Sequence, residues 1–247
     1  MADYDAVAKL YSDSMSEEGD YYHRTQIDPA VYSIIGDPKG KIIYDIGCGN
    51  GYISRHLTKI GAKVYASDIS SKMIEIAQEK SKGFDIKYSV HDAVEFDSYK
   101  DGTFDIVVMN MAIHYIKNLD KLFQGISRVL KKDGIFVFSM NHPFRPVYPY
   151  SNWVKGRLKG KDMLFIKVTG YLLEEERAGV CWCDLKTRLH LYNQPLHTFI
   201  NSMSKYGLYT FRFEEPRGDG FAHQYSKELQ NSHYIPTYII IGAKKMK

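Results

Sequence analysis

A strand that runs at once into a glycine-rich turn and then into a helix constrains this chain of 247 residues most. Residues 42–46 are mostly apolar, as in a buried strand, and residues 52–60 carry apolar side chains at helical spacing. Between them lie Gly47, Gly49 and Gly51. Glycine reaches positive φ values and has no Cβ, so a ligand can approach the backbone beside the free N–H groups of the helix start. The segment therefore predicts a cradle for a nucleotide-like cofactor.

Two carboxylates near this turn narrow the choice of cofactor. Asp68 ends a second apolar strand, and an acid about 20 residues after such a turn grips ribose hydroxyls in a βαβ unit. Asp45, directly before the turn, would repel a pyrophosphate but attract an ammonium group. A dinucleotide fingerprint would also need glycine at position 52, which holds Tyr52. S-adenosylmethionine therefore fits these residues better than NAD does.

The runs D-I-G-C-G-N-G and S-D-I-S-S-K-M resemble the first two motifs of class I S-adenosylmethionine-dependent methyltransferases, and the resemblance covers roughly residues 41–141. It implies an α/β, Rossmann-like fold with a seven-stranded, mostly parallel sheet, its last strand antiparallel, and helices on both faces. It also implies that Asp45, Gly47 and Gly49 meet the methionine part of the cofactor, that Asp68 meets the ribose hydroxyls, and that Ile69 and Met73 meet the adenine. Cys48 lies inside the same turn and is either a cofactor contact or a small packing residue.

Two further strands are predicted to end at the same edge of the sheet. Residues 86–90 and 104–110 are apolar runs, and they close on Asp92 and Asn110. In open α/β sheets the carboxyl ends of parallel strands gather the ligand contacts. The resemblance implies that Asp92, with Ala93 beside it, meets the adenine amino group. We count Asn110 among the cofactor residues too.

The first 37 residues precede the first strand, and the resemblance implies that this N-terminal segment forms a cap over the cofactor. Residues 28–35 predict a helix with Asp28 as its N-cap. In the resembled family the corresponding cap carries aromatic and arginine side chains near the methionine end. The candidates here, with plain packing of the cap as the alternative, are Tyr11, Tyr21 and Arg24.

The residues after the fourth strand bear on the substrate class. Asn110 is followed by Met-Ala-Ile, not by the Pro-Pro-aromatic run of DNA amino-methylating enzymes, and no cysteine follows a proline, as cytosine-5 enzymes require. A cluster of acids for a catechol-type metal site is missing at this strand end. We therefore predict methyl transfer to an oxygen or nitrogen of a small molecule, without a metal.

Two histidines near these strand ends are predicted to take the acceptor's proton. His114 lies shortly after Asn110, and His142 follows the fifth strand at the same edge. A neutral imidazole accepts a proton from a hydroxyl or an amine. The alternative is that either ring only packs or lines the pocket.

Residues 141–192 lack clear periodicity, and such a stretch inside a compact domain is usually a lid or a substrate loop. Its first part, up to Tyr150, is rich in proline and aromatic residues and predicts a rigid loop. Residues 196–206 then predict a helix, and residues 208–214 and 234–243 predict the last two strands. We expect the choice of acceptor to be made in the insertion 141–192.

Composition supports this reading of one domain over residues 1–247. The 33 basic and 29 acidic residues give a net charge of +4 without a dense basic block, which argues against nucleic acid as a partner. No run approaches the roughly 18 apolar residues of a membrane span, and we expect a cytoplasmic protein. Monomer and homodimer stay open. The alternatives in function are an NAD-dependent oxidoreductase and a non-catalytic, cofactor-binding regulatory subunit of the same fold.

Overall fold

A seven-stranded twisted sheet forms the centre of the computed structural model, which describes residues 3–144, 153–158, 160–166, 168, 170–181, 184–218 and 236–246. The strands are β1 Ile42–Ile46, β2 Lys63–Asp68, β3 Ile86–Val90, β4 Phe104–Asn110, β5 Leu130–Asn141, β6 Trp153–Leu158, β7 Lys161–Ile166, β8 Glu175–Cys181, β9 Asp184–Asn193, β10 Leu208–Glu214 and β11 Tyr238–Lys245. The central sheet has the order β10-β11-β5-β4-β1-β2-β3, and β11 runs antiparallel to both of its neighbours. The predicted fold class is confirmed.

Helices cover both faces of this sheet because its central strands are apolar on both sides. The α-helices are α1 Ala8–Ser14, α2 Asp28–Ile35, α3 Tyr52–Lys59, α4 Ser71–Lys80, α5 Leu119–Val129 and α6 Leu196–Lys205, with short 3-10 helices at Asp3–Ala6 and Ile113–Tyr115 and a π-helix at His23–Ile27. Val107 packs with α5 and α6, whereas the next residue, Val108, packs with α2 and α3 on the other face. None of the helices in the described part of the chain is long and apolar enough to cross a membrane.

Helix α2 has the predicted bounds, but Asp28 is not its N-cap. The π-helix His23–Ile27 leads directly into α2, so Asp28 already has helical backbone angles and Ile27 takes the N-cap position. The buried Asp28 carboxylate accepts hydrogen bonds from Tyr52 and Asn110 instead. That prediction is wrong because the helical path starts one turn earlier than the sequence signal.

The insertion after β5 consists of two antiparallel hairpins in its described part, β6–β7 and β8–β9, and not of an irregular loop. Each hairpin strand pairs with its neighbour along the chain, so neither needs the apolar pattern of a central strand. Leu189 of β9 packs on Val7 next to the first helical turn, which holds the β8–β9 hairpin against the N-terminal cap. The proline- and aromatic-rich run at 145–150 lies outside the described residues, as does the predicted start of the last strand at 234–235.

Candidate active site

A cavity of about 630 Å³ opens at the carboxyl ends of β1, β2 and β4, between the sheet, the N-terminal cap and the β8–β9 hairpin. This volume lies within the range of small-molecule sites. The cap contributes Tyr4 and Tyr11; the segments after β1, β2 and β3 contribute Gly47, Gly49, Asp68, Ile69, Met73, His91, Asp92 and Ala93; β4 and its continuation contribute Met109, Asn110, Met111, Ala112, Tyr115 and Ile116; and the hairpin contributes Glu176, Leu189, His190 and Tyr192.

Most of the residues predicted for the cofactor meet at this cavity. They are Tyr11, Gly47, Gly49, Asp68, Ile69, Met73, Asp92, Ala93 and Asn110. They come from five separate segments of the chain, and the parallel strands bring their ends to one edge.

The glycine turn and Asp68 form one unit. Gly47 and Gly49 have φ values of 69° and 53°, in the left-handed region that favours glycine. The Gly49 N–H donates to Oδ2 of Asp68 at 2.9 Å, and the Ser70 N–H donates to Oδ1 at 2.9 Å. A carboxylate has about four acceptor positions, so both oxygens keep capacity for ligand hydroxyls. The backbone therefore fixes an acceptor pair in the wall of the cavity.

Carboxylates dominate the electrostatics of this end of the sheet. Burial raises the pKa of Asp68 above its ordinary value, and it raises the pKa of Asp45 to about 7 and that of Asp28 to about 6. None of the described residues that line the cavity is a lysine or an arginine. The site therefore favours a cation over a phosphate.

Four residues predicted for the cofactor lie outside the cavity lining. Asp45 is 1% exposed and accepts a hydrogen bond from Ser54 Oγ at 2.6 Å, so its carboxylate faces α3 and not the cavity. Cys48 is buried in the turn. Tyr21 packs edge-on against the ring of its neighbour Tyr22, and the exposed Arg24 donates to the backbone of the cap. Sequence spacing places these residues near the site but does not give the direction of their side chains.

His114 and His142, predicted as proton acceptors, are not among the described residues that line the cavity. Tyr115, and not His114, lines it. Nδ1 of His114 is buried, no described residue bonds to it, and burial lowers the pKa of the ring to about 4. His142 is buried as well, and its Nε2 lies 2.9 Å from Oε1 of Glu215. A ring with a pKa near 4 is a weak base at neutral pH, and neither ring is part of the described cavity lining.

Asn110 ties the floor of the cavity to the cap. Its Nδ2 donates to Tyr52 Oη at 2.8 Å and to Asp28 Oδ1 at 3.2 Å, while its Oδ1 accepts from Ser139 Oγ. The next residue, Met111, has a φ of 54°, and its N–H donates to Ser139 Oγ at 2.9 Å. A non-glycine residue in this conformation costs energy and persists where its surroundings hold it, often at functional sites. The network thus holds β4, β5, α2 and α3 in a fixed relation.

Tyrosine rings form the roof. Tyr4 packs edge-on against both Tyr11 and Tyr115, and the hydroxyl oxygens of Tyr4 and Tyr115 lie 2.7 Å apart. Burial raises the pKa of Tyr4 to about 12, so this phenol is neutral at physiological pH. Aromatic faces attract cations, as carboxylates do. The sequence gives no indication that Tyr4 lines the cavity, because a single tyrosine carries no signal of its own.

The sequence also did not indicate which residues of the β8–β9 hairpin line the cavity. Leu189, His190 and Tyr192 come from β9, and Glu176 comes from β8. Oε1 of Glu176 lies 2.5 Å from Nδ1 of His190. The apolar and polar alternation in residues 189–192 was the only available signal for a strand here.

The donor set fits S-adenosylmethionine. The ribose of this cofactor needs hydrogen-bond acceptors, and Asp68 provides them. The adenine needs an apolar slot, which Ile69 and Met73 provide. The ammonium and sulfonium groups need negative and aromatic surroundings, which the carboxylates and tyrosine rings provide. A pyrophosphate would meet carboxylates and no lysine or arginine from the described lining. Among the described residues, no group of three or more His, Cys, Asp or Glu side chains could hold a metal ion.

Comparison with known proteins agrees with this assignment. Residues 44–138 match the family model described as a methyltransferase domain. A crystal structure of an S-adenosylmethionine dependent methyltransferase from Mesorhizobium loti superposes with a TM-score of 0.71 over 87% of this chain and 96% of that one, at 24% identity. At that identity the likeness shows the fold alone.

Two relatives differ in how much of their length aligns. An uncharacterised protein of Haemophilus influenzae is 27% identical over 226 residues, which cover 89% of this chain and 87% of that protein. The mouse mitochondrial arginine-hydroxylase NDUFAF5 is 36% identical over 119 residues, 47% of this chain and 33% of that protein. The chain thus spans about a third of the length of the mouse protein.

Proposed function

We propose that this class I S-adenosylmethionine-dependent methyltransferase transfers its methyl group to a hydroxyl or amine of a small molecule bound between the sheet edge and the β8–β9 hairpin. The observation that carries the proposal is a single cavity in which the cofactor-type residues of the sheet face a second, hairpin-built wall. We treat residues 1–247 as one domain, with a cap at 1–37 and an acceptor-binding insertion at 141–192.

The residues at the sheet edge would hold the cofactor. Asp68 would accept from the ribose hydroxyls, Ile69 and Met73 would pack on the adenine beside Asp92, and the Gly47–Gly49 backbone would approach the methionine end. Bound S-adenosylmethionine supplies an already activated methyl group. The protein's own task is then to hold the acceptor atom close and in line, which can remove several kcal/mol from the barrier.

The lining supports a neutral or cationic acceptor. Tyr115, Leu189, Tyr192 and Ile116 offer apolar and aromatic surface, and Glu176 adds a carboxylate. An acceptor carrying a phosphate or carboxylate would find no lysine or arginine among the described lining residues to pair with. Phenols, aliphatic alcohols and amines of modest size fit this chemistry.

Hydroxylation of an arginine is a second candidate, favoured by the similarity to the mouse arginine-hydroxylase. Glu176 would suit a guanidinium group. The similarity covers 47% of this chain and a third of that protein, so it does not extend to the whole of the mouse enzyme and supports a shared reaction only weakly. A regulatory subunit that binds the cofactor without turnover is the third possibility.

A labelled-methyl assay separates these functions. The purified protein is incubated with S-adenosylmethionine carrying a labelled methyl group and with separate panels of phenols, alcohols, amines, carboxylates, arginine-containing peptides and transfer RNA. We expect S-adenosylhomocysteine release and label in products from the phenol, alcohol or amine panels. Label only in peptide or RNA, gain of oxygen on a peptide, or cofactor binding without any turnover would each contradict the proposal.

A further inference from the structure

A carboxylate–imidazole pair stands on the hairpin side of the cavity. Glu176 of β8 and His190 of β9 belong to adjacent positions of the antiparallel ladder, where Glu176 pairs with Tyr192 and Ala178 pairs with His190. Oε1 of Glu176 lies 2.5 Å from Nδ1 of His190, and both residues line the cavity. Their side chains are 44% and 61% exposed, so a molecule that enters from solvent meets them at the mouth.

We propose that His190 is the proton acceptor for the substrate that is methylated, and that Glu176 positions its ring. This inference rests on the proposed function. When Nδ1–H donates to the Glu176 carboxylate, the lone pair of the neutral ring lies on Nε2. The carboxylate also stabilises the imidazolium that forms after proton transfer, as the third group does in hydrolase triads.

The step balances in atoms and charge. The acceptor oxygen or nitrogen forms a bond to the methyl carbon while the carbon–sulfur bond breaks, and that bonding pair stays on sulfur. The proton of the acceptor moves to Nε2 of His190, so the positive charge of the sulfonium ends on an imidazolium next to Glu176. The imidazolium then releases its proton to solvent, which the half-exposed position of the ring allows.

The other histidines of the region are poorer choices. His114 and His142 do not line the cavity, and burial lowers the pKa of His114 to about 4. His91 lines the cavity, but it precedes Asp92 on the side assigned to adenine. His190 is therefore the imidazole that the β8–β9 hairpin contributes to the described lining, on a segment separate from the cofactor residues.

The hairpin has a fixed place over the sheet. Leu189, next to His190 on β9, is buried against Val7, with Tyr4 and Tyr115 packed around them. Tyr4 and Tyr115 also line the cavity. The same contact that closes the cap over the cofactor thus brings the pair to the acceptor side.

Four variants test the proposal in the full chain. His190→Gln and Glu176→Gln change the pair. Glu175→Gln changes a carboxylate that precedes Glu176 but pairs with Arg177, and His197→Gln removes an exposed imidazole of α6; neither lines the cavity. Thermal melting confirms that each variant folds. The substrate is the phenol, alcohol or amine with the fastest turnover in the panels above.

For His190→Gln we expect kcat to fall by about 10²- to 10⁴-fold, the usual contribution of a general base, with the dissociation constant of S-adenosylmethionine unchanged. Glu176→Gln should lose less, and both controls should keep parental kcat. An unchanged kcat, or a rise in KM alone, in His190→Gln would overturn the assignment, since either result describes a pocket wall.

Nitrogen NMR of histidine-labelled protein gives a readout that needs no acceptor. We expect His190 to be the Nδ1–H tautomer, with and without S-adenosylhomocysteine, and to lose that preference in Glu176→Ala but not in Glu175→Ala. A Nε2–H tautomer in the parent would overturn the pair. If the panels give no turnover while this tautomer is found, the proposed function fails and the geometry of the pair stands.

Discussion

The two walls of the cavity are built in different ways. On the sheet side, backbone geometry fixes the contacts, because the N–H groups of Gly49, which has a positive φ, and of Ser70 donate to Asp68, and the strands around them are buried. On the hairpin side, half-exposed side chains such as Glu176 and His190 line the cavity. The sheet side suits a ligand that is the same for every acceptor, as a cofactor is. The side chains of the hairpin side can be substituted without disturbing the sheet. We infer that the cofactor site and the acceptor site can be altered independently.

The largest expected effect is on the sheet side. Asp68→Ala removes an acceptor for the ribose hydroxyls and leaves the N–H groups of Gly49 and Ser70 without their partner. Charge-assisted hydrogen bonds are worth about 1.5–3 kcal/mol each, so we expect cofactor binding to weaken by about 3 kcal/mol or more. Calorimetry measures the loss, with the exposed Asp85→Ala as the control. An Asp68→Ala variant that binds the cofactor with parental affinity would contradict the claim that the sheet side holds the cofactor through Asp68.

The same glycine substitution should have unequal consequences in the two regions. Gly51 has a φ of 77°, and an added Cβ would lie 2.4 Å from Tyr88 Oη and 3.1 Å from Ala77 Cβ. Gly160, in the turn between β6 and β7, has a φ of 79° and nothing within 4 Å of an added Cβ. Left-handed strain costs about 1–2 kcal/mol, and overpacking adds about 1–3 kcal/mol at Gly51 only.

Urea unfolding of Gly51→Ala and Gly160→Ala measures this difference. We expect a free energy of unfolding lower by about 2–5 kcal/mol for the first variant and by about 1–2 kcal/mol for the second. Equal losses in both variants would show that the turn near the cofactor is no more tightly packed than the hairpin turn.

The sheet side was predictable from sequence because its signals are local. Apolar runs, glycines and strand-end acids predicted strands β1 to β4 and most of the cofactor-type residues that line the cavity between Gly47 and Asn110. The direction of a side chain was not predictable in the same way. Asp45 turns to Ser54, and a 3-10 helix brings Tyr115 to the cavity where His114 was expected. A rotation of the short helix by one residue decides which of two neighbouring side chains lines the cavity, and spacing along the chain does not specify that rotation.

The hairpin side was beyond prediction for a different reason. Glu176 and His190 meet only because β8 and β9 pair in a particular register, and the bulge between Val180 and Cys181 helps to set it. Leucines alternate with polar residues along β9, but β8 shows no such alternation, so the sequence did not indicate the strand with which β9 pairs. The prediction that acceptor choice lies in the insertion 141–192 is open to test, and the two hairpins in its described part were not indicated by the sequence periodicity.

A pH series sharpens the electrostatic part of the comparison. In the free protein Asp45 and Asp28 have pKa values raised to about 7 and about 6 by burial, so both hold protons at pH 5 and lose them by pH 8. Their charges attract a sulfonium, and at effective dielectric constants near 20 the gain is on the order of 1 kcal/mol. We expect the affinity for S-adenosylmethionine to rise roughly tenfold over this range, and that for uncharged-sulfur S-adenosylhomocysteine to rise much less. Identical pH dependence of the two ligands would contradict this.

The same shifts have a consequence for stability. Because both folded pKa values lie above the ordinary carboxyl value of about 4, the folded state binds more protons than the unfolded state between about pH 4 and pH 7. The free energy of unfolding should therefore fall as pH rises through this window. Asp28→Asn, which keeps an oxygen for the Tyr52 and Asn110 donors, should flatten the lower part of the curve.

The smallest expected effect is in hairpin dynamics. Among the described residues, strands β8 and β9 pair only with each other, whereas β4 is buried between two neighbours. We expect amide hydrogens of the hairpin to exchange faster than those of β4 in the free protein, and to slow severalfold once S-adenosylhomocysteine and an acceptor are bound. Equal protection of the hairpin with and without ligands would argue against a role in enclosing the acceptor.

A crystal structure with S-adenosylhomocysteine bound tests the central claim most directly. The account predicts the ribose on Asp68, the adenine beside Asp92 and Met73, and the thioether sulfur facing the wall that carries His190. A nucleoside that lies against the hairpin, or a sulfur that points away from His190 toward the buried His142, would contradict the division of the cavity into a cofactor wall and an acceptor wall.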